Sequence, residues 1–193
     1  LYATGRKPNT ANIGLENTDI TTNERGAIVV NDTCESSVPG VYAVGDVNGG
    51  PQFTYISLDD FRIVFGALTG NGQYTLKDRK NIPYTTFLTP PLARVGLTEE
   101  DAINKGYTVK TKEMLVATMP RAHVNDYLKG AFKIVVDAET NLILGATLYS
   151  QSAEELINLI KMAMDNNIPY TYFKNQIFTH PTMAENLNDL CNF

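Results

Sequence analysis

Residues 178–190 read FTHPTMAENLNDL, and two readings of this stretch compete. In one, Thr182-x-x-Glu185 is a capping box that opens a short helix, with Met183, Leu187 and Leu190 at helical spacing. In the other, His180 is a general base whose tautomer is set by the carboxylate of Glu185, and Pro181 fixes the chain beside it. Taken alone, the stretch supports both, so its surroundings have to decide.

Working back towards the N-terminus, Ser152-Ala153-Glu154-Glu155 reads as another capping box. The helix it opens carries Leu156, Ile157, Ile160 and Met164 on one face. Methionine at that spacing, without Cys or His beside it, reads as core packing and not as a soft-metal site. Gly130 to Val136 and Leu142 to Tyr149 have strand character, and the polar turn 137–141 pairs them as a hairpin. Tyr107 to Met119 is strand-like too, as are Ile82 to Leu88 and Leu92 to Leu97 around Thr89-Pro90-Pro91. Thr98 to Asp101 starts a helix that Gly106 ends. The pattern predicts an α+β domain with an antiparallel sheet and helices to one side.

The stretch 70–81, GNGQYTLKDRKN, is polar and aperiodic and is the expected domain boundary. Upstream of it the rhythm differs. Leu1 to Thr4 reads as the tail of a strand, followed by a turn over Gly5 to Thr10. Gly26 to Val30 is a short β-branched strand closed by Asn31-Asp32-Thr33. Val41 to Val44 is another, and it runs into Gly45-Asp46 and then Asn48-Gly49-Gly50. A carboxylate just beyond a buried strand sits where open α/β sheets bind ligands, and it can accept hydrogen bonds from sugar-like hydroxyls. Asp46 could equally close an Asx turn, and both readings stay open. Phe53 to Leu68 is helical, with Ile56, Phe61, Val64, Phe65 and Leu68 forming an apolar stripe and Gly70 as its stop. Strand, Gly-rich turn and helix in that order can present a helix N-terminus to a phosphate or a flavin ring. GDVNGG is neither a P-loop nor a GxGxxG fingerprint.

Composition narrows the function classes. The 193 residues, 43% hydrophobic and 19% charged, can bury a real core in one or two domains. Sixteen basic against twenty-one acidic residues give −5, without a basic stripe, so nucleic acid is not an expected partner. Apolar runs are too short for a membrane helix and no signal-peptide pattern opens the chain, so a cytoplasmic location is expected. Cys34 and Cys191 form neither a CxxC pair nor a metal cluster and read as reduced thiols. His123 has no carboxylate at helical spacing and reads as a loop or surface histidine. The chain opens LYATGRKPNT, without Met, and a fragment of a longer protein is expected.

Together these segments resemble the C-terminal part of the class I pyridine nucleotide-disulfide oxidoreductases, the family of glutathione reductase, dihydrolipoamide dehydrogenase and mercuric reductase. ATGRKPNT is similar to the segment returning from the NAD(P) domain, and VPGVYAVGDVNGGPQFT to the second FAD motif. FLTPPLARVGLTEEDA resembles the start of the dimerisation domain, and FTHPTMAE the catalytic His-Glu segment. GGPQFTYISLDDFRIV and HPTMAENLNDL look closest to the branch of bacterial flavoproteins linked to reactive-chlorine resistance.

The resemblance implies residues 1–10 as the end of the NAD(P)-binding domain, 11–80 as the last part of an α/β FAD-binding domain, and 81–193 as the dimerisation domain. Asp46 would bind the ribityl or phosphate part of FAD, with Gly45 beside it. Gln52, Phe53 and Thr54 would lie near the isoalloxazine ring, and Pro181 near the cofactor. His180, oriented by Glu185, would be the acid-base residue of thiol-disulfide exchange, serving the other subunit of a homodimer. The His180-Pro181 bond would be cis. FAD and NAD(P)H would be the cofactors of the full-length enzyme, and a disulfide or another small electron acceptor its substrate. The GxGxxG loop, the redox CxxxxC and the nicotinamide-binding unit are absent from these residues, so the chain alone is expected to bind no cofactor and to be inactive. Two rivals remain: from a different class, a non-catalytic dimerisation module, and, within enzymes, a flavin- and thiol-dependent metal-ion reductase of the mercuric reductase type. Cys191 invites comparison with the C-terminal Cys pair of mercuric reductases, but only one Cys is present, and an adventitious terminal thiol is the other reading.

Overall fold

The computed structural model describes residues 2–193. The chain forms two compact units, one running to Arg79 and the other spanning Lys80–Phe193.

The second unit is built on a five-stranded antiparallel sheet in the order β1-β2-β5-β4-β3. Its strands are β1 (Tyr84–Thr86), β2 (Leu92–Gly96), β3 (Val109–Leu115), β4 (Ala131–Asp137) and β5 (Ile143–Tyr149). Alternation along them assigns the faces. Phe132, Ile134 and Val136 of β4, Ala146 and Leu148 of β5, and Ala93 and Val95 of β2 are buried in one apolar cluster. Helix α4 (Ala153–Asp165) covers that face at β5 and β2 through Leu156, Ile157, Ile160 and Ala163. Helix α6 (Asn186–Leu190) covers it at β3 and β4 through Leu187 and Leu190. Between them α5 (Tyr170–Asn175) contributes Tyr170 and Phe173.

On the other face Arg94, Thr147, Lys133 and Glu113 form a cross-strand row. Lys133 Nζ donates to Glu99 Oε2 at 2.8 Å, which ties the short helix α2 (Glu99–Asn104) to this face. The capping box that opens α2 is formed as the sequence predicts, with Asp101 N–H donating to Thr98 Oγ1 at 3.0 Å.

Gly130, which leads into β4, has φ 122, and a Cβ there would lie 1.7 Å from the Tyr149 carbonyl oxygen. Only glycine lets the two strands approach at that corner.

The first unit holds α1 (Thr54–Thr69), ended by Gly70, and the 3-10 turns Leu15–Asn17, Gly45–Asn48 and Leu76–Asp78.

Several expectations are corrected. The strands expected at 26–30 and 41–44 are reduced to isolated bridges, Thr22↔Ile28, Val30↔Ser36 and Glu35↔Tyr42. Tight turns closed by Gly26 N–H to Asn23, Cys34 N–H to Asn31 and Val41 N–H to Val38 interrupt the chain before a ladder can extend. Leu1 of the expected strand tail lies outside the described residues, and residues 2–4 are irregular. Ser152 does not cap α4: it sits at φ 63 and its hydroxyl makes no cap bond, since the left-handed backbone turns the side chain away from the helix start. The α1 stripe is also out of phase. Ile56, Asp60 and Ile63 are buried, while Phe61, Phe65 and Leu68 are exposed. His123 is exposed, as a surface histidine is expected to be, and lies in the short helix α3 (Pro120–Val124), its Nε2 2.8 Å from the Ala117 carbonyl.

Candidate functional site

The segment that carries His180 is anchored on both sides. Upstream, Asn188 Nδ2 donates to the carbonyls of Phe173 at 2.6 Å and Gln176 at 2.9 Å, satisfying groups that the end of α5 leaves open. Downstream, Lys112 Nζ from β3 donates to Asp189 O at 2.8 Å and to Asn192 O, which places a positive charge at the C-terminus of α6. Met183, Leu187 and Leu190 are buried beneath it. The segment that carries His180 is thus fixed to the sheet by packing and by hydrogen bonds at both ends.

Within that frame the capping box and the His180–Glu185 contact are both present. Thr182 N–H donates to Glu185 Oε1 at 3.0 Å, and Glu185 N–H donates to Thr182 Oγ1 at 3.2 Å, so the capping box exists one turn ahead of α6. The second carboxylate oxygen, Oε2, lies 2.7 Å from His180 Nδ1. Burial pushes the Glu185 carboxyl up, but the hydrogen bonds from His180 and from the Thr182 backbone outweigh it and hold the group below its ordinary 4.5. An ionised Glu185 accepts, so Nδ1 carries the hydrogen and Nε2 is the nitrogen that can exchange a proton. The Glu185 side chain is 18% exposed and that of His180 69%. A sheltered carboxylate therefore steers an imidazole that projects outward. Pro181 follows through a cis peptide bond and is half-buried.

The other predicted site residues belong to the first unit. Gly45 is buried at φ 72, and a Cβ on it would meet Ser57 Oγ at 2.5 Å, so the turn Gly45–Asn48 docks closely on α1. Asp46, in that turn, is 48% exposed and faces Arg6 Nη1 at 3.6 Å. The Asx turn belongs to Asn48, whose Oδ1 accepts from Gly50 N–H at 3.0 Å, which leaves the Asp46 carboxylate directed outward. Gln52 and Phe53 are half-buried and Thr54 is exposed at the start of α1. Phe53 occupies the N-cap position without a side-chain cap, and its ring stacks on Tyr55 at 5.0 Å and 9°.

Two residues that sequence reasoning passed over hold this turn. The carboxylate of Asp60, 0% exposed, accepts from Gly45 N–H at 2.7 Å and from Asn48 Nδ2 at 2.9 Å, both on Oδ2. Its Oδ1 takes a hydrogen bond from Arg79 Nη2, while Arg79 Nε donates to Asp59 at 2.7 Å. The available signal was a carboxylate at position 60 on the same helical face as Ile56 and Ile63, where apolar neighbours demand a partner.

Both thiols are free and buried. Burial and the Asp60 charge push Cys34 up to about 11, and burial pushes Cys191 up to about 12. Burial thus disfavours the thiolate at both positions. Among the described residues no cluster of three or more His, Cys, Asp or Glu could hold a metal ion. None of the helices among them is long and apolar enough to cross a membrane.

Residues 82–191 match the family model of the pyridine nucleotide-disulphide oxidoreductase dimerisation domain, and residues 1–60 match that of the pyridine nucleotide-disulphide oxidoreductases. The chain is 50% identical over 190 residues to the probable pyridine nucleotide-disulfide oxidoreductase RclA of Escherichia coli K12, covering 98% of this chain and 43% of that protein. It is 36% identical over 187 residues to a mercuric reductase of Staphylococcus aureus, covering 97% and 34%. The solved structure of the HOCl-induced flavoprotein disulfide reductase RclA from Escherichia coli superposes with a TM-score of 0.95 at 49% identity, over 98% of this chain and 43% of that one. The chain thus spans less than half the length of these relatives.

Proposed function

Since the chain belongs to the pyridine nucleotide-disulphide oxidoreductases and carries their dimerisation domain, we propose that it works as the C-terminal part of an FAD-dependent, NAD(P)H-dependent disulfide oxidoreductase. It supplies the dimer interface and the acid-base pair for thiol-disulfide exchange. The observation that carries this reading is the 2.7 Å contact between His180 Nδ1 and Glu185 beneath an outward-facing imidazole.

The chemistry follows from that contact. Thiol-disulfide exchange needs a thiolate to attack and a proton for the thiolate that leaves. His180 Nε2 takes the proton from the attacking thiol and returns it to the departing sulfur, while Glu185 balances the imidazolium charge between the two transfers. Cys34 and Cys191, buried and held protonated, take no part, so the exchanging thiols come from elsewhere in the enzyme.

The first unit fits FAD. An outward carboxylate at Asp46 offers an acceptor for hydroxyls, and a turn at Gly45 that admits no side chain lets a ligand approach the backbone. Gly45, Asp46, Gln52, Phe53 and Thr54 would hold the cofactor. The chemistry that bound FAD would supply is two-electron transfer between the nicotinamide and the disulfide.

In the dimer each His180 serves the thiols of the opposite subunit, and the enzyme works in the cytoplasm, where free thiols such as Cys34 and Cys191 persist. The test is NAD(P)H-driven disulfide reduction by the full-length enzyme. His180→Gln is expected to lower turnover about 10²- to 10⁴-fold with the flavin spectrum retained. Unchanged turnover would remove the assignment.

A further inference from the structure

We infer that Asp60 is a positioning residue for the flavin loop. Its buried carboxylate, braced by Arg79, fixes the turn Gly45–Asn48 and through it the direction of Asp46. The inference rests on the reading of Asp46 as a flavin ligand and extends it to a residue that touches no cofactor.

The geometry is a wired chain from helix to loop. Oδ2 of Asp60 accepts from a backbone N–H and from a side-chain amide of the same turn, so it fixes the turn at two points, Gly45 and Asn48. Asn48 in turn donates to Ala43 O at 3.2 Å and accepts from Gly50 N–H, which ties both strands of the loop to the same carboxylate. Asp46 lies between the two anchored residues, so its outward direction is set by bonds to its neighbours.

A carboxylate with no exposed surface is retained only when its lone pairs are met and its charge is balanced. Arg79 does the balancing. Its guanidinium is shared between Asp60 and Asp59, and its side chain is 10% exposed. Charge-assisted bonds of this kind are shorter and more directional than neutral ones, which suits a positioning role. A merely apolar contact at position 60 would bury α1 equally well but would leave the turn free to rotate and Gly45 N–H without an acceptor.

The wiring makes a prediction that general destabilisation does not. In Asp60→Asn the amide oxygen can still accept from Gly45 and Asn48, but the amide NH₂ then faces the donors of Arg79. Removing those donors with Arg79→Met should relieve the conflict, so the second substitution restores what the first removes.

The experiment measures FAD dissociation constants of the full-length enzyme by flavin fluorescence for the wild type, Asp60→Asn and Asp60→Asn/Arg79→Met. The expected result is affinity lowered at least tenfold in the single variant and recovered by at least threefold in the double variant. Wild-type affinity in Asp60→Asn overturns the inference while leaving the flavin reading intact. A double variant weaker than the single one also overturns it, because additive loss is the mark of ordinary destabilisation. If Asp60→Asn does not fold, a folded double variant binding FAD within about threefold of wild type supports the wiring, and one weaker by tenfold overturns it. A wild-type enzyme that binds no FAD overturns the flavin reading and the inference with it.

Discussion

Glu185 accepts from His180 through one carboxylate oxygen and from the Thr182 N–H through the other, so its two roles can be separated by substitution. Glu185→Ala removes a capping contact as well as the histidine's partner and should lower stability by about 0.5–2 kcal/mol in urea unfolding of the 193-residue chain. His180→Ala removes an exposed side chain and should change stability by no more than about 0.5 kcal/mol. Equal losses in the two variants would mean that the pair is structural. The pH dependence has a definite sign. Because the Glu185 carboxyl is held below its ordinary 4.5, it adds stability above that pH and loses the contribution as pH falls through the lowered value. Cys191 acts in the opposite range. Its folded value of about 12 lies above the ordinary 9.0, so its contribution is complete below pH 9 and disappears as pH rises towards 12. Cys191→Ala should flatten the alkaline limb of the stability profile measured between those values, and an unaltered limb would contradict the burial argument.

The elements of the second unit were largely legible because each side of its sheet follows the period-two rule, as Phe132, Ile134 and Val136 show, and α4 follows the helical one. The first unit was read less well. Its β-branched runs look like strands in isolation, yet closely spaced turns leave each with a single bridge. The α1 stripe was misphased because counting apolar residues cannot see that a charged one, Asp60, occupies the buried face when Arg79, distant in sequence, meets it. The His180–Glu185 pair was legible from spacing, whereas its anchors Asn188 and Lys112 act through backbone carbonyls, which leave no pattern in side-chain identity. At the corner leading into β4, Gly130→Ala should destabilise the chain by about 2 kcal/mol or more, because the added carbon collides with the Tyr149 backbone of β5. A thermal unfolding curve matching wild type would show that the corner relaxes.

For the whole molecule, the proposed reading makes His180 one half of a site completed by another part of the enzyme, with the matched dimerisation domain bringing the two together. Ile177, just upstream of His180, is a large apolar side chain that is 95% exposed, and in the proposed dimer a second subunit would be expected to cover it. Ile177→Asp should weaken self-association about tenfold or more in sedimentation equilibrium, and an unchanged association constant would place the interface elsewhere. The most direct test of the central claim is the turnover of the full-length His180→Gln enzyme reducing a disulfide with NAD(P)H, with the flavin spectrum recorded on the same sample. An intact spectrum with turnover reduced about 10²- to 10⁴-fold is the result expected of a positioned acid-base residue. An intact spectrum with turnover near that of the wild type would contradict it.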